Sequence, residues 1–267
     1  MNNIILSEIN IYPVKSLGGI SLTSAQIEKR GLKYDRRFML VDINGNFLTQ
    51  RKHNQMVFLK LKFDDNDFTI FHTKNLVEEI HIPFELDDSK KFKVVIWDDE
   101  CEAVCADEEV NNWFTTTMGF PCKLVYMPES TNRIVEPDYG VKNKSVSFAD
   151  AYPFMLVGKS SIDDLNSRIQ IPLPINRFRA NFVFKGGSAY EEDGWNEFFI
   201  GEVKFKRIKP CARCVITTTD QMTGERSNEP LAVLSTYRKV GNKVMFGQNL
   251  ISLSAGTVKV GDKITFQ

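Results

Sequence analysis

Phe38-Met-Leu-Val-Asp42 and Phe47-Leu-Thr-Gln50 flank Ile43-Asn-Gly-Asn46, and these thirteen residues set the fold class. Asn-Gly tolerates the positive φ angles of a tight turn, and apolar runs on both sides make it a β-hairpin. The same pattern recurs downstream. Val57–Phe63 and Phe68–Phe71 flank Asp64-Asp65-Asn66-Asp67, and Lys93–Trp97 and Glu102–Cys105 flank Asp98-Asp99-Glu100. Short strands at this spacing predict a mainly β protein, a barrel or sandwich, with a few helices (an α+β chain).

Three segments read as helices. Asp107–Met118 opens on a capping Asp and two acids and ends at Gly119. Ser160–Ile169 begins on a Ser cap and carries Leu165 and Ile169 four apart, and Leu231–Tyr237 follows Pro230. The polar stretch Met127–Ser147 has no clear period and reads as a linker or long loop. It divides a front part, 1–126, from a back part, 127–267, whose structured portion begins near 145. GTVKVGDKITF at the C-terminus returns to strands, turning at Gly261-Asp262.

At 267 residues the chain forms one large or two small domains and needs no disulfides to hold a core. Lys plus Arg and Asp plus Glu both total 34, so no global charge draws it to nucleic acid or an anionic membrane. The first residues lack a signal peptide pattern, and there is no apolar run of transmembrane length. Five cysteines without a signal predict reduced thiols and a cytoplasmic location.

The densest chemical signal is Val203-Lys-Phe-Lys-Arg-Ile-Lys-Pro-Cys-Ala-Arg-Cys214, with five cations and no acid. Positive neighbours favour a thiolate. A thioredoxin-type pair needs a helix after it, whereas Val215–Thr219 is β-branched and reads as a strand. A structural zinc needs a second pair, which Cys101 and Cys105 could supply. Two buried cysteines beside a solvated strand, or one thiolate on a larger metal cofactor, are the other readings.

Other signals suit a phosphate or its neutral alternatives. Lys15 and Ser16 follow an apolar strand and precede a Gly pair, without Walker A spacing. Arg36 and Arg37 are adjacent at a strand start, so one faces inward and one outward; each, like Arg51, suits a phosphate or an ion pair. Arg179 and Asn181 share a side if the chain is extended. Asp150 could accept N–H groups or cap a helix. Three histidines, no H-E-x-x-H, no G-x-S-x-G and no G-x-G-x-x-G disfavour a zinc protease, a serine hydrolase and a Rossmann domain.

The front stretches IYPVKSLGG, RGLKYDRRFMLVD and FLTQRK resemble the N-terminal β-barrel domain that accompanies MOSC domains. The back stretches NRFRANFVFKGG, EEDGWNEFFIGEVKFKRIKPCARCVITTTDQMTGER and FGQNLISLSAGTVKVGDKITF resemble the MOSC domain itself. The pattern is similar to that of amidoxime-reducing components and their bacterial counterparts. That resemblance implies a molybdenum–molybdopterin cofactor, with Cys214 as molybdenum ligand and catalytic residue. It places cofactor contacts on Lys15, Ser16, Arg37, Asp150, Arg179, Asn181, Ala212 (through its backbone) and Arg213. Asn249 stands where those relatives have an aromatic residue, and Ala151 and Ala212 where they have hydroxyls. The implied activity is reduction of small N-hydroxylated compounds, and the alternative is a carrier delivering sulfur as a cysteine persulfide. No ferredoxin-type cysteine cluster follows Ile264-Thr-Phe-Gln267, so the expected donor is a separate ferredoxin-, flavoprotein- or cytochrome b5-like protein. The expected state is a monomer with no nucleic-acid or membrane partner.

Overall fold

The computed structural model describes residues 3–64, 67–75, 77–87, 91–135 and 144–266. The front part holds β1 (Ile5–Ile11), β2 (Ile20–Leu22), β3 (Ser24–Glu28), β4 (Gly31–Leu32) and β5 (Phe38–Val41). It continues with β6 (Leu59–Phe63), β7 (Asp67–His72), β8 (Ile80–Pro83), β9 (Lys91–Ile96) and β10 (Asp99–Cys105). Then come α1 (Glu108–Met118) and β11 (Lys123–Tyr126). The back part holds β12 (Phe154–Gly158), α2 (Lys159–Ser167), β13 (Phe182–Lys185), β14 (Glu197–Ile200) and β15 (Val203–Arg213). It ends with α3 (Leu231–Tyr237), β16 (Lys239–Val240), β17 (Lys243–Ser252), β18 (Gly256–Lys259) and β19 (Ile264–Thr265). The chain is mainly β, as its hairpin signals predict.

The local rules explain most of these elements. Asp42 accepts the backbone N–H of Asn44 and Asn46, and Gly45 has φ +81°, which closes the first turn. Its second arm pairs only at Phe47 and Leu48, because the chain then leaves for the site. Asp107 caps α1 by accepting from Val110 N–H, and Gly119 ends it at φ +78°. In α2 the expected Ser cap is absent. The helix starts one residue earlier, at Lys159, and Ser160 Oγ donates to the Gly187 carbonyl instead. Asp65 and Asn66 of the second hairpin turn, and 136–143 of the polar stretch, lie outside the described residues.

Hydrogen bonding ignores the division of the sequence at 127. The largest sheet runs β19-β14-β15-β17-β12-β13-β1-β2, so two front strands complete a back sheet. β1 lies antiparallel to β13, and β3 pairs β18. The described flanks of the polar stretch are packed rather than linker-like. Arg133 is buried and donates to the carbonyls of Ser147 (2.8 Å), Ala149 (2.6 Å) and Asp150 (3.1 Å). Phe154 and Phe182 stack at the centre of the large sheet and Phe205 meets both edge-on, with centroids 5.4–5.6 Å apart. A second core gathers β5–β8, α1 and β11 around Phe38, Phe68 and Phe114. Among the described residues no helix is long and apolar enough to cross a membrane.

Candidate functional site

A cavity of about 440 Å³ opens where the turn after β1, residues 149–155, residues 177–181 and the end of β15 meet. Such a volume falls in the range of small-molecule sites, ~300–1,000 Å³. Lys15 and Ser16 reach it from the front part. Asp150, Arg179, Asn181, Ala212, Arg213 and Cys214 reach it from the back. Eight cations line it (Lys15, Arg36, Arg51, Arg177, Arg179, Lys209, Arg213 and Lys243) against one carboxylate, Asp150, among the described residues.

Arg37 is the exception among the residues singled out from the sequence. Its guanidinium turns away, donating to the Met127 carbonyl and pairing with Glu129 at 2.6 Å. Arg36 takes the cavity side. The two do face opposite ways, but Arg36 lies before the strand, at φ +50°, so β alternation does not decide which points inward.

Lys15 is buried, donates to the Phe148 carbonyl at 2.8 Å and pairs with Asp150. Burial pushes its pKa down to about 8, with Asp150 opposing. Burial would raise the Asp150 carboxyl, yet Lys15 and Arg51 together hold it well below the usual range. Asp150 also accepts Trp97 Nε1–H at 3.2 Å, so it ties cations rather than capping a helix.

Arg36 and Arg179 stack on Tyr12, at 4.5 and 4.1 Å from its centroid. Burial pushes Arg179 down to about 10, and its Nη1 donates to a neutral partner, the Leu17 carbonyl, at 2.7 Å. Arg213 bonds to the Phe178 carbonyl and, at 2.9 Å, to Cys211 Sγ. The buried Nε atoms of Arg177 and Arg213 have no protein partner. Eight cations against one carboxylate among the described residues make this lining fit an anionic guest. Ser16, Arg36 and Arg179 adopt left-handed backbone, three of the six non-glycine residues that do among those described. Such conformations cost about 1–3 kcal/mol each and cluster at ligand clamps.

Asn181 is saturated inside the protein. Its Oδ1 accepts from Met155 N–H and Arg36, and its Nδ2 donates to Asn10 and Asp35. It braces Arg36. Arg179 and Asn181 share the cavity, although the chain there is a helical turn ending in a left-handed residue rather than extended.

Two family descriptions cover the chain: the MOSC N-terminal beta barrel domain matches residues 3–121, and the MOSC domain matches residues 143–265. Mitochondrial amidoxime-reducing component 1 of Homo sapiens is 31% identical over 280 residues, spanning 97% of this chain and 82% of that protein. The chain belongs to the MOSC family. The Mus musculus protein of the same description is 30% identical, with 97% of this chain and 81% of that protein covered. A molybdenum cofactor sulfurase of Oryza sativa is 32% identical over 92% of this chain, which spans only 32% of that longer protein.

In this MOSC chain only two of the five β15 cations, Lys209 and Arg213, line the cavity. Lys204 pairs with Glu197, and Arg207 donates to the Trp195 carbonyl. Register shifts at Arg207/Lys209 and Pro210/Ala212 break the strand's alternation and aim its end at the site. The β-branched run after Cys214 is a short 3₁₀ turn, Val215–Thr218, because the chain must leave the sheet beneath the cavity. Cys211 and Cys214 both line the cavity, whereas Cys101 is buried in a separate core of the front part. The zinc reading with Cys101 and Cys105 is thereby removed. Arg177 and Lys243 join the site without having been singled out from the sequence. Arg177 was visible only as a second basic residue in NRFRAN.

Proposed function

We propose that this chain holds a molybdenum–molybdopterin cofactor in the cation-lined cavity and reduces small N-hydroxylated compounds such as amidoximes and hydroxylamines. The observation that carries this reading is Cys214 in a cavity that, among the described residues, has eight cations and one acid. The amidoxime-reducing relatives supply the reaction class. When bound, the cofactor supplies the two-electron redox chemistry. Cys214 offers its sulfur to the metal. Lys15, Arg179 and Arg213 meet the anionic phosphate and dithiolene, with Ser16 and the Ala212 backbone as further contacts. Asp150 fixes Lys15 and Arg51, and Asn181 fixes Arg36. Arg37 acts at a distance from the cavity, by holding Met127 and Glu129. Electrons come from a separate carrier protein.

The test uses protein purified from a molybdopterin-competent host. Elemental analysis is expected to find molybdenum with the wild type and to lose it in Cys214→Ala. Benzamidoxime is expected to be converted to benzamidine with reduced viologen as donor. Molybdenum absent from the wild type, or unchanged in Cys214→Ala, would overturn the reading. The sulfur-carrier alternative draws on the guanidinium at Cys211 Sγ, 2.9 Å away. It predicts cyanolysable sulfur and no amidoxime turnover.

A further inference from the structure

Arg51 belongs to none of the cofactor contacts named above, yet it is among the most firmly held side chains at the cavity. Its Nη2 pairs with Asp150 Oδ2 at 3.0 Å and its Nη1 donates to Thr49 Oγ1 at 3.3 Å. Its guanidinium lies 4.4 Å from the centre of the Trp97 ring. Trp97 is itself fixed, by donating to Asp150 and by packing on Phe47 at 4.8 Å. The Arg51 carbonyl accepts from Arg226 at 2.9 Å, which pins the backbone as well. Arg51 and Cys214 line the same cavity. The Arg51 side chain is 21% exposed and that of Asp150 50%, against 6% for Lys15. Arg51 is therefore nearer solvent than Lys15, in the cavity that Cys214 also lines.

The geometry points to Arg51 as the residue that binds the N–O oxygen of the substrate. This rests on the reading above. Reduction of an amidoxime breaks the N–O bond, takes up two electrons from the reduced donor protein and two protons from water, and releases water. Negative charge grows on the departing oxygen as that bond breaks. A guanidinium stays charged at every working pH, so it is a hydrogen-bond donor here and not a proton source. It carries five N–H donors, and Asp150 and Thr49 engage two of them. A donor fixed in advance stabilises developing charge without reorganising. The Trp97 and Asp150 brace supplies that fixity.

The experiment compares wild type, Arg51→Gln and Arg51→Lys, each purified with its cofactor. Calorimetry measures binding of benzamidoxime and of benzamide, which is also neutral and lacks the N–O oxygen, to the oxidised protein without turnover. In Arg51→Gln benzamidoxime binding is expected to weaken about 10-fold or more, and kcat to fall about 100-fold. Benzamide binding and molybdenum content are expected to stay within twofold. Arg51→Lys should recover part of kcat. Loss of molybdenum in Arg51→Gln would overturn the assignment by making Arg51 part of the cofactor's hold. Equal weakening for both ligands, or unchanged binding and kcat, would overturn it too. If Arg51→Gln does not fold, Arg51→Lys carries the same comparison. A wild type without molybdenum or turnover refutes the function proposal itself, a different outcome from any of these.

Discussion

Asp150→Asn removes the single carboxylate that lines the cavity among the described residues, while keeping its shape. Lys15 and Arg51 lose their charge partner, while Trp97 Nε1 keeps an oxygen acceptor. Removing one partner of a fully buried pair costs ~3–5 kcal/mol. The Lys15 side chain is 6% exposed, but that of Asp150 is 50% exposed, so solvent screens part of the loss. The expected destabilisation is about 1–3 kcal/mol at pH 7. Its pH dependence has a definite sign. Burial has already pushed Lys15 down to about 8, with Asp150 acting against it. Without the carboxylate Lys15 releases its proton at lower pH. Above about pH 8 Lys15 is largely neutral in both folded proteins, and its share of the penalty fades. Urea denaturation at pH 7 and pH 9, in wild-type and Lys15→Met backgrounds, measures this. A substitution that costs nothing at pH 7, or costs the same in the Lys15→Met background, refutes the reasoning.

Lys15→Met should itself abolish a rise in stability between about pH 8 and pH 10.4, because the unfolded chain binds more protons there than the folded one; urea midpoints across that window check it. Phe205→Ala empties a fully buried site between Phe154 and Phe182 and should cost about 3–5 kcal/mol, read as a lower urea midpoint with an unchanged slope. Burial pushes the Cys101 and Cys122 thiols up to about 11, so at pH 8 iodoacetamide should label both about 100-fold or more slowly than an ordinary thiol, as peptide mass spectrometry can show.

What the sequence made legible was local. The Asn44-Gly45 turn and the Asp107 and Gly119 caps rest on residues within a few positions of each other, and each forms as its chemistry requires. The long-range pairings were hidden. Nothing within IYPVKS says that β1 will lie against β13, some 175 positions away, since neither strand carries a local mark of its partner. That pairing carries Lys15 to Asp150. Arg36 and Arg37 illustrate the same limit at a single site: the sequence puts them on opposite sides, but a left-handed residue before the strand and Glu129 at a distance choose which side is which. The basic run of β15 overstated its share of the site, because Glu197 and the Trp195 carbonyl take two of its cations. Arg51 resisted placement because its partners Trp97 and Asp150 come from two distant segments.

The central claim is that the Cys214 sulfur is the protein's ligand to molybdenum. X-ray absorption at the molybdenum edge, on wild-type protein and on Cys214→Ser reconstituted with cofactor, counts the sulfurs around the metal. Three in the wild type, two from the dithiolene and one from Cys214, falling to two in the variant is the predicted result. The same sulfur count in both proteins would contradict it.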